Sequence, residues 1–238
     1  MTIRNVLTVR SMRRLPLPML AAAAVLGSPV ASAPPASAEP CPDVEVVFAR
    51  GSGEPPGIGG IGRPFVDALR SQIGAKSLTV YAVNYPASTD FDNPAFPGTV
   101  IDGIRDASAH IESMAGNCPN TREVLGGYSQ GAAVAGYTTS ASVPPGVPAD
   151  KVPPPMPPAI APHVAAVTLF GTPTGQFLQK YNAPPLTIGP LYQPKTIQLC
   201  APGDPVCASG GDGGLAAHTS YPGNGMTSQA ADFAASHL

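Results

Sequence analysis

Short, nearly unbroken apolar runs alternate along this chain with stretches of helical spacing. Residues 44–49, 78–83, 124–128, 164–170 and 196–200 are rich in valine, leucine, isoleucine and phenylalanine and too short for buried helices, so five strands are expected. Between them, Phe65/Val66, Leu69 and Ile73 recur at three to four residues, with Pro64 suited to a first helical turn. Val100/Ile101, Ile104, Ala107, Ile111 and Met114/Ala115 repeat the pattern over a longer helix. A further helix is expected from Gln130, and a closing one over 226–238. Residues 50–62 are rich in glycine and proline and read as a loop, and 86–97, bounded by Pro86 and Pro97, read as another.

Strands that are apolar throughout, rather than alternately polar, are covered on both faces. Alternation with helices then predicts an α/β protein: a three-layer α/β/α sandwich on a mostly parallel central sheet of about five strands. Such sheets bind ligands beyond the carboxyl ends of their strands. The loops that open there carry Arg50-Gly51-Ser52 after the first strand, Ser129 after the third and the Cys200 to Cys207 loop after the fifth.

Two segments break the pattern. Arg4, Arg10, Arg13 and Arg14 precede an apolar run over 15–30, and Ala36-Ser37-Ala38 follows with small residues. That is the layout of a cleaved export signal over 1–38, leaving a 200-residue domain over 39–238. The apolar run is short and interrupted by Pro16, Pro18 and Pro29, which argues against a membrane span. The second segment, 144–162, is so dense in proline that helix and central strand are both excluded. An extended surface loop is expected, as a tolerated insertion rather than a docking element.

Composition narrows the function. Without the four early arginines, nine basic residues face 15 acidic ones, a net charge of −6 with histidine neutral. With no basic patch and no tryptophan, nucleic-acid binding has no footing. Cys41, Cys118, Cys200 and Cys207 lack Cys-x-x-Cys spacing and any usefully interleaved histidine, so neither a metal nor another cofactor is expected. An even count after an export signal favours two disulfides. Of three connectivities, Cys200–Cys207 would staple one loop and leave Cys41–Cys118. Secretion to the medium or the cell envelope follows, as a monomer.

The candidate chemistry lies in Gly127-Tyr128-Ser129-Gln130-Gly131. A serine on a sharp strand-to-helix turn exposes its hydroxyl, and the glycines allow strand and helix to approach. Serine needs a base, and the base needs an orienting carboxylate. His110 falls among polar helical positions and reads as a surface residue. His163 is at the wrong end of the sheet, and His237 is penultimate. His218 follows the last strand in a glycine-rich loop and is the favoured base. Asp150, Asp204 and Asp212 lie between serine and histidine. Asp204, inside the Cys200 to Cys207 loop, is favoured, with Asp212 left open.

These motifs resemble the cutinase family of α/β-hydrolases, including its actinobacterial cutinase-like esterases. The elbow around Ser129 carries the likeness, with Ala49-Arg50-Gly51-Ser52-Gly53-Glu54, Cys200-Ala201-Pro202-Gly203-Asp204-Pro205-Val206-Cys207 and Ala217-His218-Thr219-Ser220-Tyr221. The resemblance implies a serine esterase with Ser129 as nucleophile, His218 as base and Asp204 as its orienter. It also implies an oxyanion hole from Ser52, where many actinobacterial relatives carry threonine, and the backbone N–H of Gln130. The expected substrate is a carboxylic ester: cutin-like polyester, a short or medium acyl ester, or a lipid met at an interface. An acetylxylan-type esterase and a catalytically idle surface module are the alternatives. Phe91, Phe96 and Leu215, in loops 86–97 and 211–217 flanking the site, either pack inward or form a lipid-facing rim. No lid domain is expected, and the site should be open.

Overall fold

The computed structural model describes residues 40–238; the expected export signal over 1–38 lies outside the described residues. Five strands form one sheet: β1 (Val44–Ala49), β2 (Leu78–Ala82), β3 (Arg122–Tyr128), β4 (Val164–Phe170) and β5 (Thr196–Leu199). Their order is β2-β1-β3-β4-β5, and every pair is parallel. The principal helices are α1 (Gly59–Gln72), α2 (Phe96–Asn117), α3 (Gln130–Thr138), α4 (Gly175–Lys180), α5 (Gly214–His218) and α6 (Met226–Ala235).

Strand periodicity divides the core. Val44, Val46 and Phe48 face α1 and α6, where Phe65, Leu69, Ala230 and Ala234 are buried. Val47 and Ala49 face α2 and α3, with Ala107, Ile111, Val134 and Ala135. Phe48, Phe65 and Phe170 meet at ring separations of 5.7–6.3 Å on the first face. The sheet is thus covered on both faces, as its unalternating strands require. Disulfides join Cys41 to Cys118 and Cys200 to Cys207.

Several boundaries differ from those read in the sequence. Helix α1 begins at Gly59, so Pro64 lies inside it. Its glycine-rich first turn is held from outside the helix: Glu54 Oε1 accepts from the Gly60 N–H at 2.6 Å. Helix α2 starts at Phe96, with Pro97 opening the helix rather than closing the loop. Helices α4 and α5 were not expected. His110 is not a free surface residue. Its ring stacks on Tyr81 at 3.5 Å, and Nε2 lies 2.8 Å from Glu45 Oε2. The proline-rich segment is not extended throughout: it turns at 145–147 and 149–152, where the Val147 N–H reaches Pro144 O and the Lys151 N–H reaches Pro148 O, then runs without regular structure over 153–157 and closes in a 3-10 helix (Pro158–His163). It is more than a surface loop, because Met156 and Ala161 are buried in the same cluster as Ala107 and Ile111.

Glu123 on β3 points to the α2–α3 face, beside Glu45 in register on β1. It is 1% exposed, and neither carboxylate oxygen has a hydrogen-bond partner among the described residues. Loss of hydration, with a lesser contribution from Glu45, pushes its carboxyl from 4.5 up to about 8. The folded chain therefore holds a proton that the unfolded chain has released across that interval. Glu123 lowers stability progressively as pH rises from about 4.5 to 8, by an amount of order a few kcal/mol in all. Glu123→Gln keeps the shape and removes the ionisation. Urea unfolding from pH 4 to 8.5 should show the variant gaining on the parent steadily through this window. Parallel pH profiles for the two proteins would mean that Glu123 is not the source.

Candidate active site

The site is built on the turn from β3 to α3. Ser129 holds φ +55°, a left-handed backbone that a non-glycine residue adopts only when its surroundings force it. Its N–H donates to Phe170 O on β4 at 2.8 Å, and its carbonyl accepts from Ala132 and Ala133 at 2.9 and 3.1 Å. The flanking glycines are set by backbone contact. A Cβ on Gly127 would stand 2.1 Å from Gly131 O, and one on Gly131 would stand 2.0 Å from Ala49 O. The turn aims Ser129 Oγ outward beyond the sheet and turns the start of α3 towards it. The Gln130 N–H makes no hydrogen bond among the described residues.

His218, the last residue of α5, places Nε2 2.8 Å from Ser129 Oγ and Nδ1 2.8 Å from Asp204 Oδ2. A carboxylate can only accept, so Nδ1 carries the proton and Nε2 is left to accept from the serine hydroxyl. Asp204 is fully buried. Three donors converge on it: His218 Nδ1–H, the Val206 N–H at 2.8 Å and the Tyr221 hydroxyl at 2.5 Å. Such convergence offsets the cost of burying a carboxylate. Asp212 is exposed, and Asp150 is exposed and paired with Lys151 at 3.2 Å. Of the three aspartates weighed in the sequence, Asp204 is the one that meets His218.

Two tyrosines complete the arrangement, and neither was assigned a role from the sequence. Tyr221, also fully buried, donates to Asp204 Oδ2 and accepts from the Ala201 N–H at 3.3 Å. Tyr128 donates to the His218 carbonyl at 2.8 Å, and its ring lies 4.9 Å from the imidazole. Burial raises both phenols above their ordinary range, so both stay protonated as donors. The available signals were slight: Tyr128 occupies the variable position before the serine, and Tyr221 follows the histidine by three residues.

The loop after β1 is shaped by a buried arginine. Arg50 donates through Nε to Glu54 O at 2.8 Å and through Nη2 to Tyr85 O at 2.7 Å, while the Tyr85 hydroxyl donates to Arg50 O. Glu54 Oε2 accepts from the Gly51 N–H at 2.6 Å, and the Gly53 N–H reaches Ala87 O at 2.8 Å. Ser52, held by this loop, lines one cleft with Ser129, Gln130 and His218.

That cleft has a volume of about 770 Å³ and mostly apolar walls. Phe91 packs on Phe96 and Tyr181 at 4.9 and 5.1 Å between ring centres. All three line the cleft, as does Leu215, which is 75% exposed. The proline-rich segment, expected to be a tolerated insertion, also forms part of the wall through Pro144, Val147 and Val152 among others. Among the described residues no group of three or more histidines, cysteines, aspartates or glutamates could hold a metal ion. No described helix is long and apolar enough to cross a membrane.

The Cutinase family model matches residues 40–238. Probable carboxylesterase Culp7 of Mycobacterium tuberculosis is 67% identical over 168 residues, covering 71% of this chain and 89% of its own length. Carboxylesterase Culp1 of Mycobacterium bovis is 49% identical over 235 residues, 98% of each chain. Among solved structures, a Trichoderma reesei cutinase in complex with a phosphonate inhibitor superposes with a TM-score of 0.59 at 31% identity, covering 82% of this chain and 76% of that one.

The elbow gives a stability prediction. Gly131→Ala forces a methyl into the Ala49 carbonyl and should destabilise the fold by about 3 kcal/mol or more, since neither backbone can yield cheaply. Urea unfolding checks it, and an unchanged midpoint would show that the two segments are not in contact.

Proposed function

The chain belongs to the cutinase family and is a carboxylic ester hydrolase, and from that premise we propose that it acts as a secreted serine esterase forming an acyl-enzyme on Ser129. The observation that carries this reading is the continuous contact from Ser129 Oγ to His218 to Asp204, at 2.8 Å in each step, opening on an apolar cleft.

His218 Nε2 takes the hydroxyl proton as Ser129 Oγ bonds to the ester carbonyl carbon. The carbonyl electron pair moves to oxygen, and that oxyanion is received by Ser52 and the Gln130 N–H; one such donor is typically worth about 3 kcal/mol. The oxyanion collapses, the ester C–O bond breaks, and the alcohol leaves with the proton from His218. Water then attacks the acyl-enzyme by the same route and releases the acid. Asp204 holds the imidazole in the tautomer that presents Nε2 and stabilises its charge. The substrates are carboxylic esters: cutin-like polyester, short and medium acyl esters, or lipids presented at an interface. An apolar cleft in a chain without tryptophan suits an acyl chain better than a sugar. Two disulfides suit an oxidising exterior, reached after removal of residues 1–38.

Ser129→Ala should abolish hydrolysis of p-nitrophenyl butyrate and labelling by a fluorophosphonate probe, with the melting temperature close to the parent's. Activity surviving the substitution would transfer the role to another serine. Tyr221→Phe removes a donor to the Asp204 carboxylate. Hydrogen bonds to charged groups are worth about 1.5–3 kcal/mol, so kcat should fall roughly ten- to a hundredfold with little change in KM. An unaltered kcat in the folded variant would leave Tyr221 a packing residue only.

A further inference from the structure

A short ester needs little of the cleft beyond Ser129, yet the cleft continues well past it. On α3 it is lined by Gln130, Ala133, Tyr137 and Thr138, a run of about 12 Å at 1.5 Å per residue. On α2 it is lined from Phe96 through Val100, Ile101 and Ile104 to Ser108, a run of about 18 Å. One leaflet of a bilayer, half of a hydrocarbon core roughly 30 Å thick, gives a lipid tail about 15 Å. The cleft is thus as long as such a tail and is continuous with the serine.

A further part of the wall is the proline-rich strap between α3 and the 3-10 helix, through Val143, Pro144, Val147, Pro148, Val152 and Pro153. Its prolines fix φ and leave little conformational freedom to lose. Both ends are fastened. Ser140 Oγ donates to Thr187 O at 2.8 Å. At the far end Met156 and Ala161 are buried. Lys195 Nζ donates to Ala161 O and Val164 O at 2.5 and 2.6 Å, and Arg122 Nη1 donates to Pro162 O at 2.7 Å. A wall built this way holds an apolar channel open in water without collapsing onto α2.

Resting on the esterase reading above, we propose that residues 143–155 form the outer wall of an acyl channel and make this enzyme prefer long acyl chains, dodecanoyl or longer. Each methylene that enters the channel leaves water, which can raise kcat/KM by up to roughly fourfold while the chain still finds wall to cover. Val147 is a specificity-determining residue in this scheme, because a larger side chain there would fill the channel.

The test is a series of p-nitrophenyl esters from acetyl to dodecanoyl, kept below their aggregation concentrations, on the purified secreted protein and on Val147→Trp. The parent's kcat/KM should rise at least tenfold from butanoyl to dodecanoyl, and Val147→Trp should reduce that ratio at least tenfold. A parent profile that is flat or falling beyond butanoyl overturns the channel, as does an unmoved ratio in a folded variant. Should Val147→Trp not fold, inactivation of the parent by butyl and dodecyl p-nitrophenyl phosphonates gives the same comparison. A dodecyl compound no faster than the butyl one counts against the proposal. Hydrolysis of butanoyl ester without the gain sinks the channel alone, whereas no hydrolysis of any ester sinks the esterase reading with it.

Discussion

Everything at the site hangs on the closeness of two backbones. Gly131 at the start of α3 lies so near the Ala49 carbonyl at the end of β1 that no side chain fits between them. That contact pulls α3 tight across the sheet edge, and the chain can make the turn only if Ser129 accepts a left-handed φ of +55°. The hydrogen bond from Ser129 N–H to Phe170 O ties the same residue to β4. Three adjacent strands thus fix one serine. The strain is local, and the surrounding parallel sheet, buried on both faces, over-determines it.

Two fully buried acids, Asp204 and Glu123, receive opposite treatment. Asp204 is met by an imidazole, a backbone N–H and a phenol. Glu123 is met by no hydrogen-bond donor among the described residues and holds its proton instead. The difference follows from position. Asp204 sits in a loop beyond the carboxyl end of the sheet, where free N–H groups and side chains from other loops can be brought to bear. Glu123 sits inside a strand, where the backbone donors are already used in the ladder and the neighbour in register is another acid. The carboxylate that takes part in the proposed chemistry lies where donors can be assembled.

The strands and their parallel arrangement were legible because continuous apolar runs report burial on both faces, a property local to each run. The Ser129 elbow was legible because its glycines answer a backbone contact that any such turn must make. Other features were set by distant partners. The start of α1 depends on a glutamate in the preceding loop, beyond the reach of apolar spacing. The environment of His110 is set by Tyr81 and Glu45, far from it in sequence, so its polar helical neighbours do not reveal it. Asp204 and Asp212 were both admissible, since sequence order constrains which aspartate could reach a histidine but not which one is buried against it. The proline-rich strap shows the limit most clearly. Proline density states which regular structures are forbidden, and it is silent on where the resulting segment turns and what it packs against.

That last gap bears on how substrate would enter. An apolar cleft tends to close on itself in water, and a hinged lid is one way to keep such a cleft accessible. A rigid wall is another. Prolines reduce the freedom of the unfolded strap, so holding it over the cleft costs less than holding an ordinary loop of the same length. The groups assigned to the proposed chemistry are in contact, Ser129 with His218 and His218 with Asp204. Nothing in that arrangement requires a movement to assemble it. On the proposed reading, an ester reaching the cleft meets groups already in contact, and differences in rate between esters reflect how much of the wall each acyl chain covers.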